Sequence, residues 1–239
     1  MTPELRRLQT ILRECSQLAL DAKATRTMEI KPDGSIVTNV DRLIEKYLRE
    51  KLPLQWKGTN VWGEEYGYEP MGANGLWLVD PIDGTSNFAY GNPLWGISIA
   101  LAQPDGIQLG AIALPELNIE LLSERGHGAY WNDERLPQWE SKPILHHELV
   151  SCNDRIMKLM NIKVEGKSRL CGAFVIDGSF TVKQWFRAMY SGGEKLYDIA
   201  AVVLAAREIG MPINYANGDV FDETKLLKDI YIHQTWKIG

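Results

Sequence analysis

No stretch of this sequence approaches the roughly 18 uninterrupted apolar residues that a membrane-spanning helix needs, so no spanning segment is expected. Cysteine is scarce: Cys15, Cys152 and Cys171 are an odd three at wide spacing. They form neither a disulfide framework nor a zinc-ligand pattern, which points to a reducing compartment. There is no excess of positive charge either. With 26 Lys and Arg against 31 Asp and Glu, the formal net charge is -5, which argues against a nucleic-acid backbone or an anionic membrane as the main partner. The longest basic groupings, "LRR" and "VKQWFR", are short and read as solvated helix or strand faces. Internal repeats and low-complexity segments are absent. The opening "MTPELRRLQTILREC" is charged and amphipathic, unlike the apolar core of a secretion signal. Together these absences predict a soluble, cytoplasmic protein with neither membrane nor nucleic acid as its partner.

What is present suits one large domain, or two small lobes on a shared core: 239 residues, 45% of them hydrophobic. Leu5, Leu8, Ile11, Leu12, Cys15 and Leu18 recur at helical spacing, predicting a helix from about Pro3 to about Ala24. Asp33-Gly34 signals a tight turn. Thr38 or Asn39 then caps a second helix with Val40, Leu43, Ile44, Tyr47 and Leu48 inward. "NVWGEEYG" ends a short strand in Glu64 and Glu65, and "GLWLVD" reads as a strand buried on both faces. From Trp95 to Tyr130 turn signals punctuate an antiparallel meander. The polar stretch 137–147 reads as the junction of two lobes within a single domain spanning 1–239. Beyond it, "ELVSCN", "KSRLCG" and "WFRAMY" read as strands. Asp198 to Ile209 reads as a helix closed by Gly210. The order of elements implies layered α/β or α+β architecture.

Five carboxylates stand where a strand or turn ends: Asp41, Glu64, Asp80, Asp83 and Asp198. Asp80 terminates an apolar strand, and Pro81 fixes the step to Asp83. Carboxylates that converge in a partly buried place repel one another unless a cation neutralises them. Oxygen-only ligation suits Mg2+, and no His or Cys cluster nearby favours zinc. Gly84-Thr85 follows at once, and a glycine-opened turn with consecutive N–H groups suits phosphate. Metal ions beside such a turn are the equipment of metal-assisted phosphoester hydrolysis, with Thr85 and Asp41 placed to orient the attacking water. Taken singly, each residue has a plainer reading. A lone D-x-x-D is more often a turn, Glu64-Glu65 a solvated turn, Asp198 an N-cap, and Asp41 a first-turn helix acid.

The conjunction changes that balance, and so does its wording. "LWLVDPIDGTSNF" resembles the first signature of the inositol monophosphatase family, unbroken from Asp80 to Thr85. "VWGEE" and "KPDGSIVTNVD" resemble the family's G-E-E turn and its K-x-D-G-S-P-V-T-x-A-D segment. "LYDIAAVVLAAREIG" is similar to its second signature, and the motifs are collinear over nearly the whole chain. The resemblance implies a five-layer αβαβα sandwich, usually homodimeric, often inhibited by Li+. It implies two or three Mg2+ ions: a first on Glu64, Asp80 and the Ile82 carbonyl, a second on Asp80, Asp83 and Asp198, and a third helped by Glu64. It places phosphate on Gly84, Thr85 and Ser86, and the nucleophilic water on Thr85 and Asp41, without a covalent intermediate.

Departures fall on the substrate side. Ala173 stands where the resembling R-x-x-G-S-A-A-L-D segment has serine, and Ser191 where the family has an inositol-contacting acid. Glu194 substitutes for that acid only if its loop is displaced. Ile36 replaces a usual proline and Tyr197 a usual tryptophan, both read as packing variations. The expected activity is hydrolysis of a small phosphorylated polyol or sugar, inositol-1-phosphate first. Histidinol phosphate and fructose-1,6-bisphosphate are the competitors within the family. A protein that mainly binds the transcription machinery is the competitor from another class.

Overall fold

The computed structural model describes residues 1–159, 165–227 and 231–239. Helix α1 (Pro3–Ala22) starts at Thr2, whose hydroxyl accepts the Leu5 N–H at 3.2 Å. A single turn of 3-10 helix, Lys23–Thr25, follows it. Strands β1 (Met28–Ile30) and β2 (Ile36–Thr38) pair around the Asp33-Gly34 turn. Thr38 caps α2 (Asn39–Gln55). Val40, Ile44, Leu48 and Leu52 face inward, whereas Leu43 is 39% exposed. The helix phase that buries Val40 and Ile44 turns Leu43 outward and brings Asp41 and Glu45 in with the apolar residues.

Seven strands form the larger sheet: β3 (Thr59–Gly63), β4 (Gly75–Asp83), β5 (Gly96–Gln103), β6 (Gly106–Leu114), β7 (Ile119–Glu124), β8 (Gly128–Trp131) and β9 (Glu134–Arg135). They lie in chain order; β3 and β4 are parallel and every later pair is antiparallel. The expected meander is present. Helix α3 (Thr85–Tyr90) follows β4 directly.

Residues 137–145 form neither helix nor strand. The second sheet has the order β11-β10-β12-β14-β13, built from β10 (Leu149–Cys152), β11 (Lys167–Arg169), β12 (Met189–Ser191), β13 (Ile213–Tyr215) and β14 (Trp236–Ile238). "WFRAMY" therefore becomes a strand only from Met189. Gln184, with φ +64°, turns the chain just before Trp185 and Phe186.

Between the sheets lie α5 (Phe174–Val182) and α6 (Leu196–Glu208). Short α4 (Asp154–Leu159) packs on β12, and α7 (Glu223–Leu226) on β6. One apolar cluster joins α1 and α2 to the first face of the large sheet through Val61, Trp77, Val79 and Ile97. The other joins its second face to α5, α6 and the small sheet through Leu76, Leu78, Ala100 and Trp236. The layers thus run helix pair, sheet, helix pair, sheet, and the outer helical layer of the expected five-layer αβαβα sandwich is represented by short α4 on β12, whose buried Ile156 lies outside the cluster facing α5 and α6. Each Leu or Ile buried this way contributes about 1.5–3 kcal/mol, more than helix propensity offers, so packing holds α1 and α2 in place.

Strand β4 carries one irregularity that matters for the site. Asp80 pairs with Ser98 and Asp83 with Gly96, so three steps on β4 match two on β5. This bulge reverses the alternation of side chains. Trp77 and Val79 face α1 and α2, and so does Ile82, which regular alternation would have sent the other way. Asp83 consequently shares the face of Asp80, toward α5 and α6.

Candidate active site

Three elements converge at the end of β4. From the strand itself come Asp80, 2% exposed, and Asp83. The Ile82 N–H donates to Asp80 Oδ1 at 3.1 Å. The Val175 N–H, in the first turn of α5, donates to Asp83 Oδ2. Asp198 is the third residue of α6, and its Oδ2 accepts the Lys195 N–H at 2.8 Å. Lys195, not Asp198, is the N-cap. Each of these three carboxylates thus has one oxygen fixed by a backbone N–H, while its other oxygen makes no hydrogen bond among the described residues.

Glu64 closes the group from the turn after β3. Lys31 Nζ lies 3.6 Å from its Oε1 and Lys195 Nζ 4.0 Å, while Lys31 also donates to Glu65 at 2.8 Å. Burial pushes the Asp80 and Asp198 carboxyls well above the usual carboxylate range. Their negative neighbours push the same way: Glu64, Asp83, Asp198 and Asp41 for Asp80, and Glu194 and Asp83 for Asp198. Asp83 is pushed up to about 8 by burial, against the Val175 N–H and with help from Glu194. Burial likewise raises Glu64, though Lys31 and Lys195 oppose it. Such a cluster calls for positive charge. Its donors are all carboxylate oxygens, which fits a hard divalent cation such as Mg2+ and not a soft one. Among the described residues no three Asp, Glu, His or Cys side chains already close into a cage.

On the other side stands the Asp41–Thr85 pair. Asp41 is fully buried at the start of α2, where it accepts the Thr38 N–H at 2.9 Å and the Thr38 hydroxyl. Burial lifts it to about 6 in spite of those bonds. Thr85 Oγ1 lies 3.1 Å from Asp41 Oδ1 and 2.9 Å from the Ile82 carbonyl. Its single proton serves one of these acceptors, which leaves a lone pair for a donor. Gly84 starts α3 with φ +83°, and a Cβ there would stand 2.7 Å from the Ala173 Cβ and 3.1 Å from the Leu94 carbonyl. Both the turn and the close approach require glycine. The first N–H groups of α3, on Thr85 and Ser86, have no intrahelical acceptor.

Glu194 stands beside the cluster, where its charge acts on Asp198. Its Oε1 accepts from Asn153 Nδ2 at 2.6 Å and from the Ser191 hydroxyl at 2.9 Å. It lines a cavity of about 380 Å3 that begins at Asp83 and passes Ala173. Sequence reading missed two other residues. Asp177, on α5, is 5% exposed and lines the same cavity. Burial lifts its carboxyl to about 6, against the neighbouring Cys171 and Ser151. Glu45 is fully buried on α2, one turn beyond Asp41. It accepts the N–H groups of Glu65 at 2.7 Å and Tyr66 at 3.1 Å, and pairs with Arg49 at 2.9 Å. Arg49 extends the strut to the Val61 and Gly67 carbonyls. Gly63 makes room for it, since a Cβ there would fall 2.2 Å from the Glu45 carboxyl. The available signal was phase: Glu45 lies four residues after Asp41 and on the inward side of α2.

Comparison with known proteins places this site in context. A profile of the inositol monophosphatase family matches residues 5–237. The Mesorhizobium japonicum inositol-1-monophosphatase is 31% identical over 196 residues, 77% of this chain and 73% of that protein. The Chlorobaculum parvum histidinol-phosphatase is 36% identical over 134 residues, 55% of this chain and 52% of that protein, about half the length of each. In three dimensions the Thermotoga maritima IMPase matches with a TM-score of 0.84 at 23% identity, covering 100% of this chain and 92% of that one. Fold and sequence together define the class, a metal-dependent phosphatase. The chain belongs to the inositol monophosphatase family.

Proposed function

We propose that this chain hydrolyses small phosphomonoesters with Mg2+, inositol-1-phosphate and comparable polyol or sugar phosphates among them. The observation that carries the reading is the convergence of Glu64, Asp80, Asp83 and Asp198 opposite the Asp41–Thr85 pair. Those four carboxylates, with the Ile82 carbonyl, are the residues that would hold two or three cations. When bound, the cations activate a water molecule and neutralise the charge that develops on the leaving oxygen. The protein's own groups do the rest. Thr85, braced by Asp41, orients the attacking water through its hydroxyl. Asp41, raised to about 6 and still mostly ionised at neutral pH, takes up the proton that Thr85 relays. The N–H groups of Gly84, Thr85 and Ser86 hold the phosphate against the carboxylate cluster. Asp83 and Asp198 are kept in position by α5 and α6 through single backbone bonds. The same reading takes a homodimer, a cytoplasmic location and one domain over 1–239.

Phosphate release from a panel of monophosphates, with and without Mg2+, tests this reading. Release that depends on Mg2+ is expected. A folded, Mg2+-binding protein that releases phosphate from none of them would point instead to a binding role. The Neisseria meningitidis "Putative Nus factor SuhB", 29% identical over 84% of this chain, gives that alternative a concrete form.

Lithium supplies a second expected outcome. Li+ is small and singly charged, and it substitutes poorly for a divalent ion on Asp83 and Asp198. Millimolar Li+ should therefore inhibit turnover, and added Mg2+ should relieve the inhibition. A Staphylococcal inositol monophosphatase-1 of the same fold has been seen in a LiCl-soaked inhibitory complex. Turnover unchanged by Li+ would count against placing a cation on that pair.

A further inference from the structure

Glu64 differs from the other acids of its cluster. Asp80, Asp83 and Asp198 are each fixed by a backbone N–H, whereas Glu64 is met by two ammonium groups. Lys31 Nζ lies 3.6 Å and Lys195 Nζ 4.0 Å from the same oxygen, Oε1. The two lysines come from opposite halves of the chain: Lys31 follows β1, and Lys195 caps α6. Lys31 is shared, since it also donates to Glu65 at 2.8 Å. Lys195 has no other acid within ion-pair distance among the described residues.

Lys195 is held in place from three sides. Its backbone N–H donates to Asp198 Oδ2 at 2.8 Å. The loop that carries it is paired with the C-terminal segment. There the Gly193 N–H donates to the Ile232 carbonyl and the Ile232 N–H to the Glu194 carbonyl, both at 2.9 Å. Its ammonium lies 5.3 Å from the centre of the Tyr197 ring, within reach of the ring's negative face. Tyr197 is 4% exposed and meets Trp62, two residues before Glu64, edge-on at 6.0 Å. The departure at Tyr197 therefore does more than fill space. It seats a cation beside Glu64.

We propose that the Lys195 ammonium, seated on Tyr197 and joined by Lys31, is a built-in counter-ion for Glu64 that holds the site to two divalent ions rather than three. The inference rests on the phosphatase reading above and narrows its ion count. The expected third ion leans on Glu64, where it would stand beside two positive charges already fixed there. Like charges that close repel strongly in a partly buried place. An ammonium group also spares the cost of stripping water from Mg2+, which dehydrates reluctantly.

Mn2+ accepts the same oxygen ligands as Mg2+ and can be counted by electron paramagnetic resonance. Titration of the full chain with Mn2+, inorganic phosphate present, is expected to stop at two ions per chain through the millimolar range. Lys195→Met keeps the backbone N–H that holds Asp198 and removes the charge. It should admit a third Mn2+, with third-ion affinity raised about tenfold or more. Lys195→Arg restores a cation and should return the count to two, which a change in packing alone would not explain. Three ions on the unaltered protein overturn the inference, and so does a Lys195→Met protein that stays at two. The count on the unaltered protein decides the matter even where a variant folds poorly. A folded chain that binds no Mn2+ and releases phosphate from no monophosphate overturns the phosphatase reading itself.

Discussion

Asp80→Asn is expected to lower kcat by about a thousandfold or more while the protein remains folded. Asp80 is the most enclosed of the clustered carboxylates, and the negative charges of Glu64, Asp83, Asp198 and Asp41 all act on it. Asparagine has the same shape and keeps an oxygen for the Ile82 N–H, so packing around β4 is preserved. The lost charge is what draws cations to the site. Without Mg2+, the variant should melt at or above the temperature of the unaltered protein, because an unneutralised carboxyl no longer has to be buried. With Mg2+, the unaltered protein should gain stability, and the variant should gain much less. Melting curves with and without Mg2+, beside steady-state kinetics, separate the two effects. Near-normal turnover in the variant would remove Asp80 from the site.

The second large effect is expected from Glu45, which touches no substrate. Glu45→Ala removes the acceptor of two backbone N–H groups in the turn that carries Glu64. It also strips Arg49 of a buried partner. Breaking a buried pair from one side costs about 3–5 kcal/mol, a fall of about 10 °C in Tm for a chain of this size. The same change should weaken Mg2+ binding measured by calorimetry, because the Glu64 turn loses its anchor. Glu45→Gln keeps one acceptor and the shape, so it should recover most of the stability and part of the Mg2+ affinity. An alanine variant with unaltered Tm and Mg2+ affinity would show that the turn holds itself.

Much of the site was legible because it is local. Asp80, Asp83, Gly84 and Thr85 fall within six consecutive residues, and the strand that delivers them is apolar enough to be read directly. Helix α1 and the β5–β8 meander were legible for a similar reason, since each carries one clean period and marked ends. Helix α5 was not. Buried between two sheets, it is apolar on every side, so it lacks the stripe by which a helix is recognised. Its Gly178 looks like a break, yet it is needed because a Cβ there would stand 2.6 Å from a methyl of Val202 on α6. Asp177 was hidden along with the helix that carries it. Glu45 was hidden differently: with Arg49 four residues on, it reads as a common surface pair, and only the tertiary packing shows that its carboxyl is wholly enclosed.

The irregularity in β4 makes the site sensitive to residue count in a way that residue identity alone would not suggest. Asp80 and Asp83, three residues apart, share a face because the bulge takes up the additional residue between them. Exchanging Ile82 for another aliphatic residue leaves the count, and hence the facing, as it was. Deleting a single residue between the two aspartates would restore regular pairing and leave Asp83 on the face of Asp80, but it would remove the bulge in which the Ile82 N–H holds Asp80 and the Ile82 carbonyl meets Thr85. Homologous chains should therefore vary in the letters of this segment far more readily than in its length. An aligned gap here would be the mark of a chain that has kept the fold and abandoned the chemistry.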